Sequence, residues 1–351
     1  MVEIFTGRRF WVWLTVFGFI GFCAFSGLRI YSQFTESYRG YVAEERFVDI
    51  TPGSDAVTIA RQLIAADIVR DRWVFRYAAW KTKSASRLQA GEYKFDSPMT
   101  AVQVLEKIMQ GRVHLRTITF PEGLTLAQMA EIFGASDFGT REEFYASVQN
   151  TELVAHFDKE ATDLEGYLFP DTYALPRNAT ADHLVSAMVA GFEKKFDDEL
   201  RRESQVRDFT LREVVTLASI IERETARADE RTVVSGVFTN RLELGMLLQS
   251  DPTVIYALQL AGLYKNNLTR ANLRFDSPYN TYLYAGLPPG PIASPGLGAL
   301  KAAVQPDDVQ YLYFVSRNDG SHVFATSLRE HNRNVREFQV RYFQQRRSSG
   351  K

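Results

Sequence analysis

Cysteine is almost missing from this chain. The one present in 351 residues, Cys23, excludes any disulfide within the chain and any cysteine-based zinc or iron–sulfur site. Charge of one sign is missing too: 41 Lys+Arg against 42 Asp+Glu leave a formal net charge of −1. That argues against a dedicated nucleic-acid binder, a class that carries a basic surplus. Histidine is scarce, and His114, His156, His183, His322 and His331 show no metal-ligand spacing. They read as solvated or core-satisfied side chains. His-Glu-x-x-His, G-x-S-x-G and P-loop motifs are absent. What is there is the composition of a folded protein, with 45% hydrophobic and 13% aromatic residues. The length suits about two domains of roughly 100–200 residues each.

Phe10 to Leu28 is a run without charge. As a helix it would be about 28 Å long, close to the ~30 Å hydrocarbon core of a bilayer. Phe10, Trp11 and Trp13 stand where an interfacial aromatic belt would lie. A cleaved signal peptide is the rival reading, with Arg8 and Arg9 as its basic start and Ala24-Phe25-Ser26 as its cleavage site. The run is longer than a signal peptide's usual ~7–15 residues and bulky to its end, which favours an uncleaved anchor. Arg8 and Arg9 on one side and Arg29 and Arg39 on the other nearly balance, so charge specifies orientation poorly.

Residues 29–45 read as a linker after a short tail, 1–9. Phe47 to Ile50 alternates like a strand and ends at Pro52-Gly53. Helices follow at Ile59 to Ile64 and Trp73 to Ala78, then a strand at Gly91–Phe95 and a helix over Ala101–Met109. The pattern recurs from Ile118 through Pro121-Glu122-Gly123 to the helix carrying Met129 and Phe133. Strand, turn, helix and helix is the order of small LysM-like wall-binding modules. The fold class is therefore α+β: one transmembrane helix at 10–28, a LysM-like module at 46–115, and a mixed domain at 116–345. Residues 116–160 are a candidate second LysM-like unit, and 346–351 a tail. One helix is expected over Ala181–Arg202, and a hairpin about Asn318-Asp319-Gly320. The long loop Asp276–Gly298, rich in Pro, Gly and Tyr, is the kind that serves function.

Carboxylates in an aromatic, polar groove remain as the available chemistry, a combination suited to carbohydrate. On the helix Leu211–Thr225, Glu222 falls within the apolar arc of Val214, Val215, Leu217, Ala218 and Ile221. Glu224 falls at the arc's other border, so the two are not a catalytic pair. A carboxyl among apolar neighbours holds its proton longer, as a general acid must. The bland reading of Glu222 is a helix-end glutamate paired with Arg223, Arg227 or Arg241.

Leu217-Ala218-Ser219-Ile220-Ile221-Glu222-Arg223-Glu224-Thr225 resembles the signature helix of the MltG-type (YceG-like) endolytic murein transglycosylases. So do Phe238–Leu242, Leu248–Tyr256, Tyr279–Tyr282, Gly286–Gly296 and Leu164–Tyr173, in the same order along nearly the whole chain. The resemblance implies a lyase that cleaves the MurNAc–GlcNAc β-1,4 bond within nascent peptidoglycan strands. It leaves 1,6-anhydro-MurNAc ends and terminates elongation. By that carry-over Glu222 is the single acid/base residue. Gln249, Asp251, Asn280 and Thr281 are candidates to stabilise developing charge, and Tyr279 and Tyr282 to stack on sugar. Asp251 has a plainer role as a helix cap, Asn280 as a turn residue, and the tyrosines as core. The chemistry needs no metal and no organic cofactor. The resemblance further implies association with peptidoglycan synthases and a single-pass anchor in the bacterial cytoplasmic (inner) membrane, the catalytic domain outside the cytoplasm. The alternatives are a glycan-binding protein without activity, and a hydrolytic muramidase using Glu165 or Asp251 as a second carboxyl.

Overall fold

The computed structural model describes residues 4–38, 45–83, 87–342 and 344. Residues 39–44 of the expected linker and the whole 346–351 tail lie outside the described residues. The chain divides into two compact units, 1–116 with 175–178, and 117–174 with 179–351.

The first unit opens with α1 (Ile4–Thr35), whose stretch Trp11–Arg29 is long and apolar enough to cross a membrane. The helix outruns the expected span by a turn or more, because no Pro or Gly stops it between Arg29 and Thr35. Then come β1 (Arg46–Ile50), α2 (Ala56–Ala65), α3 (Arg72–Lys81), β2 (Gly91–Phe95) and α4 (Ala101–Met109). β1 and β2 pair antiparallel, Val48 opposite Tyr93. Capping is local: Asp55 accepts from Thr58 N–H, Asp71 from Trp73 and Val74, and Thr100 forms a reciprocal box with Gln103. Ile50, Leu63, Phe75, Tyr93, Val104 and Ile108 fill the core between these elements. Glu92, also buried, is neutralised by Arg116 at 3.3 Å and Arg177 at 3.1 Å.

β3 (Leu115–Thr119) pairs with β4 (Thr172–Pro176). Between them lie α5 (Leu126–Gly134) and α6 (Arg141–Val148), so the order strand, helix, helix, strand does occur twice. The second unit continues with α7 (Ala181–Lys195), α8 (Asp198–Val206), α9 (Leu211–Glu224), α10 (Arg231–Glu243), α11 (Asp251–Leu260) and α12 (Leu297–Val304). The single helix expected over 181–202 is broken. Asp197 accepts from Glu199 and Leu200 N–H at 3.1 Å and restarts the chain as α8. α9 is buried from Val214 to Ile221 and packs against α8, α10, α11 and α12. After α12 come the antiparallel hairpin β5 (Tyr313–Ser316) and β6 (His322–Ala325), then α13 (Leu328–Val335), which runs on as a π-helix over Arg336–Arg341. At Asn318 and Gly320 φ is positive, 65° and 89°, as the turn residues predict.

Candidate active site

Thr210 starts α9 through a capping box with Glu213, and Thr225 ends it in extended conformation. Both signature glutamates sit in the last turn. Two residues are 200° apart on a helix, so their carboxyls face different surroundings.

Glu222 faces a niche made by the Pro121–Gly123 turn, the start of α10 and the loop before α12. One carboxylate oxygen meets Arg231 Nη2 at 3.1 Å, and the other accepts from Gly296 N–H at 3.0 Å. Arg231 also meets Glu122 at 3.3 Å, and Arg223 donates to Gly123 C=O at 3.0 Å. Burial raises the Glu222 pKa, opposed by the Gly296 bond and by Arg231. Its side chain is 6% exposed and has an arginine partner, though a different one from Arg223, Arg227 or Arg241. A Cβ at 296 would lie 1.9 Å from Glu122 Oε1, so a side chain there would have to displace the end of the Glu122 side chain.

Glu224 faces an open cleft of about 560 Å³ lined also by Arg241, Gln249, Asp251, Tyr282, Phe314, Ser316, His322 and His331. The Ser250 hydroxyl donates to Glu224. Burial pushes the Glu224 carboxyl up to about 7; the Ser250 bond opposes this, Asp251's charge adds to it, and Arg241 pulls the other way. A group with this pKa is present in both protonation states near neutrality, as a residue that gives and then takes a proton must be.

Of the residues expected around the acid, Gln249, Asp251 and Tyr282 line this cleft with Glu224. Asp251 does not cap α11. Ser250 holds the cap position, Asp251 is the first helical residue, and its carboxylate accepts from Tyr282 OH at 2.7 Å. Gln249 has φ +51°, a strained conformation held by its N–H to Thr281 C=O at 3.0 Å. Asn280 and Thr281 are buried and build the loop. Asn280 donates to the carbonyls of Leu273 and Phe275 and accepts from Tyr282 N–H, while Thr281 Oγ1 accepts from Ser250 N–H at 3.0 Å. The Tyr279 ring packs tilted against Tyr256, centroids 5.0 Å apart, in another network. Glu165 is in that network as well, buried, bound by Leu126 N–H and Tyr256 OH. It is not among the residues lining the cleft with Glu224.

Sequence reasoning missed Arg241 and both histidines of the cleft. Arg241 is buried, donates to the carbonyls of Leu312 and Leu248, and lies 5.3 Å from the Tyr313 ring. His331 stacks on Tyr313 at 5.2 Å, and burial together with Arg241 lowers its pKa. His322 Nδ1 sits 2.7 Å from Glu230. Arg241 lies within the segment Phe238–Leu242, but nothing local to the hairpin that carries His322 marks it as lining the same cleft as Glu224.

The cleft thus brings a carboxyl of raised pKa together with amide, carboxylate, phenol and guanidinium groups on an α+β scaffold. Residues 48–337 match the model of the YceG-like family, and the chain belongs to that family. It is 33% identical over 302 residues to an endolytic murein transglycosylase of Bacillus subtilis, covering 82% of each chain. It is 33% identical over 322 residues to one of Streptococcus pneumoniae, covering 83% of this chain and 58% of that one. A crystallised YceG-like protein of Listeria monocytogenes superposes with a TM-score of 0.57 at 30% identity, over 83% of this chain and 99% of that chain.

Proposed function

We propose that this protein is an endolytic lytic transglycosylase of peptidoglycan, with Glu224 as its one acid/base group. The observation that carries the assignment to Glu224 is its place in the cleft. There the raised carboxyl shares a wall with Gln249, Asp251 and Tyr282, whereas Glu222 is engaged by Arg231 and Gly296. The Bacillus and Streptococcus relatives, named endolytic murein transglycosylases, support the reaction class.

In this reading the strand lies in the cleft across Tyr282 and Phe314, with the MurNAc–GlcNAc bridge oxygen against Glu224. Protonated Glu224 gives its proton to that oxygen as the bond breaks. The carboxylate then takes the proton from the C6 hydroxyl of the same muramyl residue as that oxygen attacks the anomeric carbon. Protons balance, water is not consumed, and the product is a 1,6-anhydro end. One carboxyl suffices because the substrate supplies its own nucleophile in held geometry. Asp251 and the dipole of Gln249 face the developing oxocarbenium charge.

The span Trp11–Arg29 fits a single-pass anchor. With it the enzyme acts outside the cytoplasm on strands as they leave the membrane, beside the synthases that make them, and limits strand length. Residues 46–115 serve as a LysM-like glycan-holding module. Purified peptidoglycan digested by the full-length chain tests the reaction. Fragments should carry anhydro-muramyl ends, lighter by one water than hydrolysis products. Reducing ends of hydrolytic mass would make it a muramidase, and an absence of fragments would leave a binding protein.

A further inference from the structure

Helix α3 carries an exposed aromatic stripe. Trp73, Tyr77 and Trp80 recur at helical spacing and are 61%, 45% and 74% exposed. Val74, Phe75, Ala78 and Ala79 on the opposite face are buried in the core of the first unit. The guanidinium groups of Arg72 and Arg76 lie 4.9 and 5.3 Å from the Trp73 ring, and the Tyr77 and Trp80 rings are 5.9 Å apart. Between Arg70 and Lys83 stand five basic residues, Arg70, Arg72, Arg76, Lys81 and Lys83, and one acid, Asp71. That acid is spent on capping the helix.

The place of the stripe is as telling as its composition. The anchor α1 packs against α3 and α4. Just past its end, Tyr38 N–H bonds Met99 C=O at 3.0 Å, and Arg70 lies 5.2 Å from the Tyr38 ring. The residue that leads into α3 thus lies beside the segment that follows α1. Tryptophan and tyrosine favour the headgroup level of a bilayer, and Lys and Arg beside them favour anionic lipid. A sugar platform would need amide or carboxylate partners for hydroxyls, and α3 has no Asn, Gln, Asp or Glu.

We propose that the exposed face of α3 docks on the anionic phospholipid surface of the membrane that α1 enters, fixing how the first unit stands over the bilayer. This rests on the anchor reading. The test uses the full-length chain carrying Trp11→Phe and Trp13→Phe, so that Trp73 and Trp80 are its two tryptophans. It is reconstituted into phosphatidylethanolamine/phosphatidylglycerol vesicles containing lipids brominated at a shallow or a deep acyl position. The expected result is blue-shifted emission and roughly twofold quenching, stronger from the shallow bromines, since such helices sit about 5–10 Å into the headgroup boundary. Omitting phosphatidylglycerol, or adding Arg72→Gln with Arg76→Gln, should weaken the quenching. Water-like emission without quenching, while the chain resists alkaline extraction, overturns the docking and spares the anchor. Extraction of the chain by alkali overturns both. A blue shift produced by soluble glycan strands, with no bromine quenching, makes the face a sugar platform and overturns the lipid assignment.

Discussion

Replacing Glu165 with glutamine should change how stability depends on pH, and the size can be worked from the site. Glu165 is 5% exposed and accepts from Leu126 N–H at 3.2 and 3.1 Å and from Tyr256 OH at 3.2 Å. Burial pushes its pKa from 4.5 to about 8, against the pull of those bonds. A raised carboxyl pKa means that the folded state prefers the proton. Stability is then greatest below 4.5, falls as pH rises toward about 8, and is level above that. At about 1.4 kcal/mol per tenfold change in proton affinity, the span from 4.5 to about 8 bounds the loss at about 5 kcal/mol. Glutamine keeps an oxygen for Leu126 N–H and cannot ionise. Chemical unfolding of the full-length chain in detergent, followed by circular dichroism from pH 4.5 to 9, should show the variant gaining on the parent as pH rises, by up to about 5 kcal/mol. Glu222 and Glu224, also raised by burial, keep part of the slope in both proteins. Parallel curves for parent and variant would refute the reasoning, because they would mean Glu165 titrates alike folded and unfolded.

Gly166→Ala should destabilise the second unit by about 3 kcal/mol, since φ is +84° and a Cβ would lie 2.5 Å from Pro291 and 2.8 Å from Val215. Gly286→Ala, at φ +86° with open space around it, should cost only about 1 kcal/mol in the same unfolding assay. Arg231→Met leaves Glu222 and Glu122 facing each other without their cation, and thermal melts should show a loss of about 3 kcal/mol or more. Asp251→Asn removes a charge that raises the Glu224 pKa, so the alkaline limb of the kcat/KM profile should move to lower pH.

Much of this architecture was legible because its signals are local. The strand Gly91–Phe95 and the hairpin about Asn318-Asp319-Gly320 stand where their own residues place them. Spacing marks one face of α9, Val214, Val215, Leu217, Ala218 and Ile221, but Thr216, Ser219 and Ile220 are buried as well, because neighbouring helices enclose it on every side. Where reading failed, one competing signal had outweighed another. Asp197 stands in a run of helix-forming charges, and its capping geometry broke the helix there. Asp251 looks like a cap, but Ser250 takes that position.

The choice between Glu222 and Glu224 shows the harder limit. The helical wheel separates the two correctly and finds Glu222 among apolar neighbours, which gives the right sign for its pKa. It cannot say which face meets the cleft. That depends on the loop 249–251, the turn 279–282 and the hairpin of β5 and β6, all distant in sequence. Burial alone does not make a general acid. An ion pair can use the same carboxyl, as Arg231 does with Glu222.

The central claim is that proton transfer belongs to Glu224. Its most direct test is the rate of anhydro-muramyl end formation by Glu224→Gln and Glu222→Gln chains, per folded molecule, on one peptidoglycan preparation. Loss of an acid/base group costs about 10²–10⁴-fold. The Glu224 variant should show that loss, and the Glu222 variant should stay near the parent. Full activity without the Glu224 carboxyl, with activity abolished by the change at Glu222, would contradict the account.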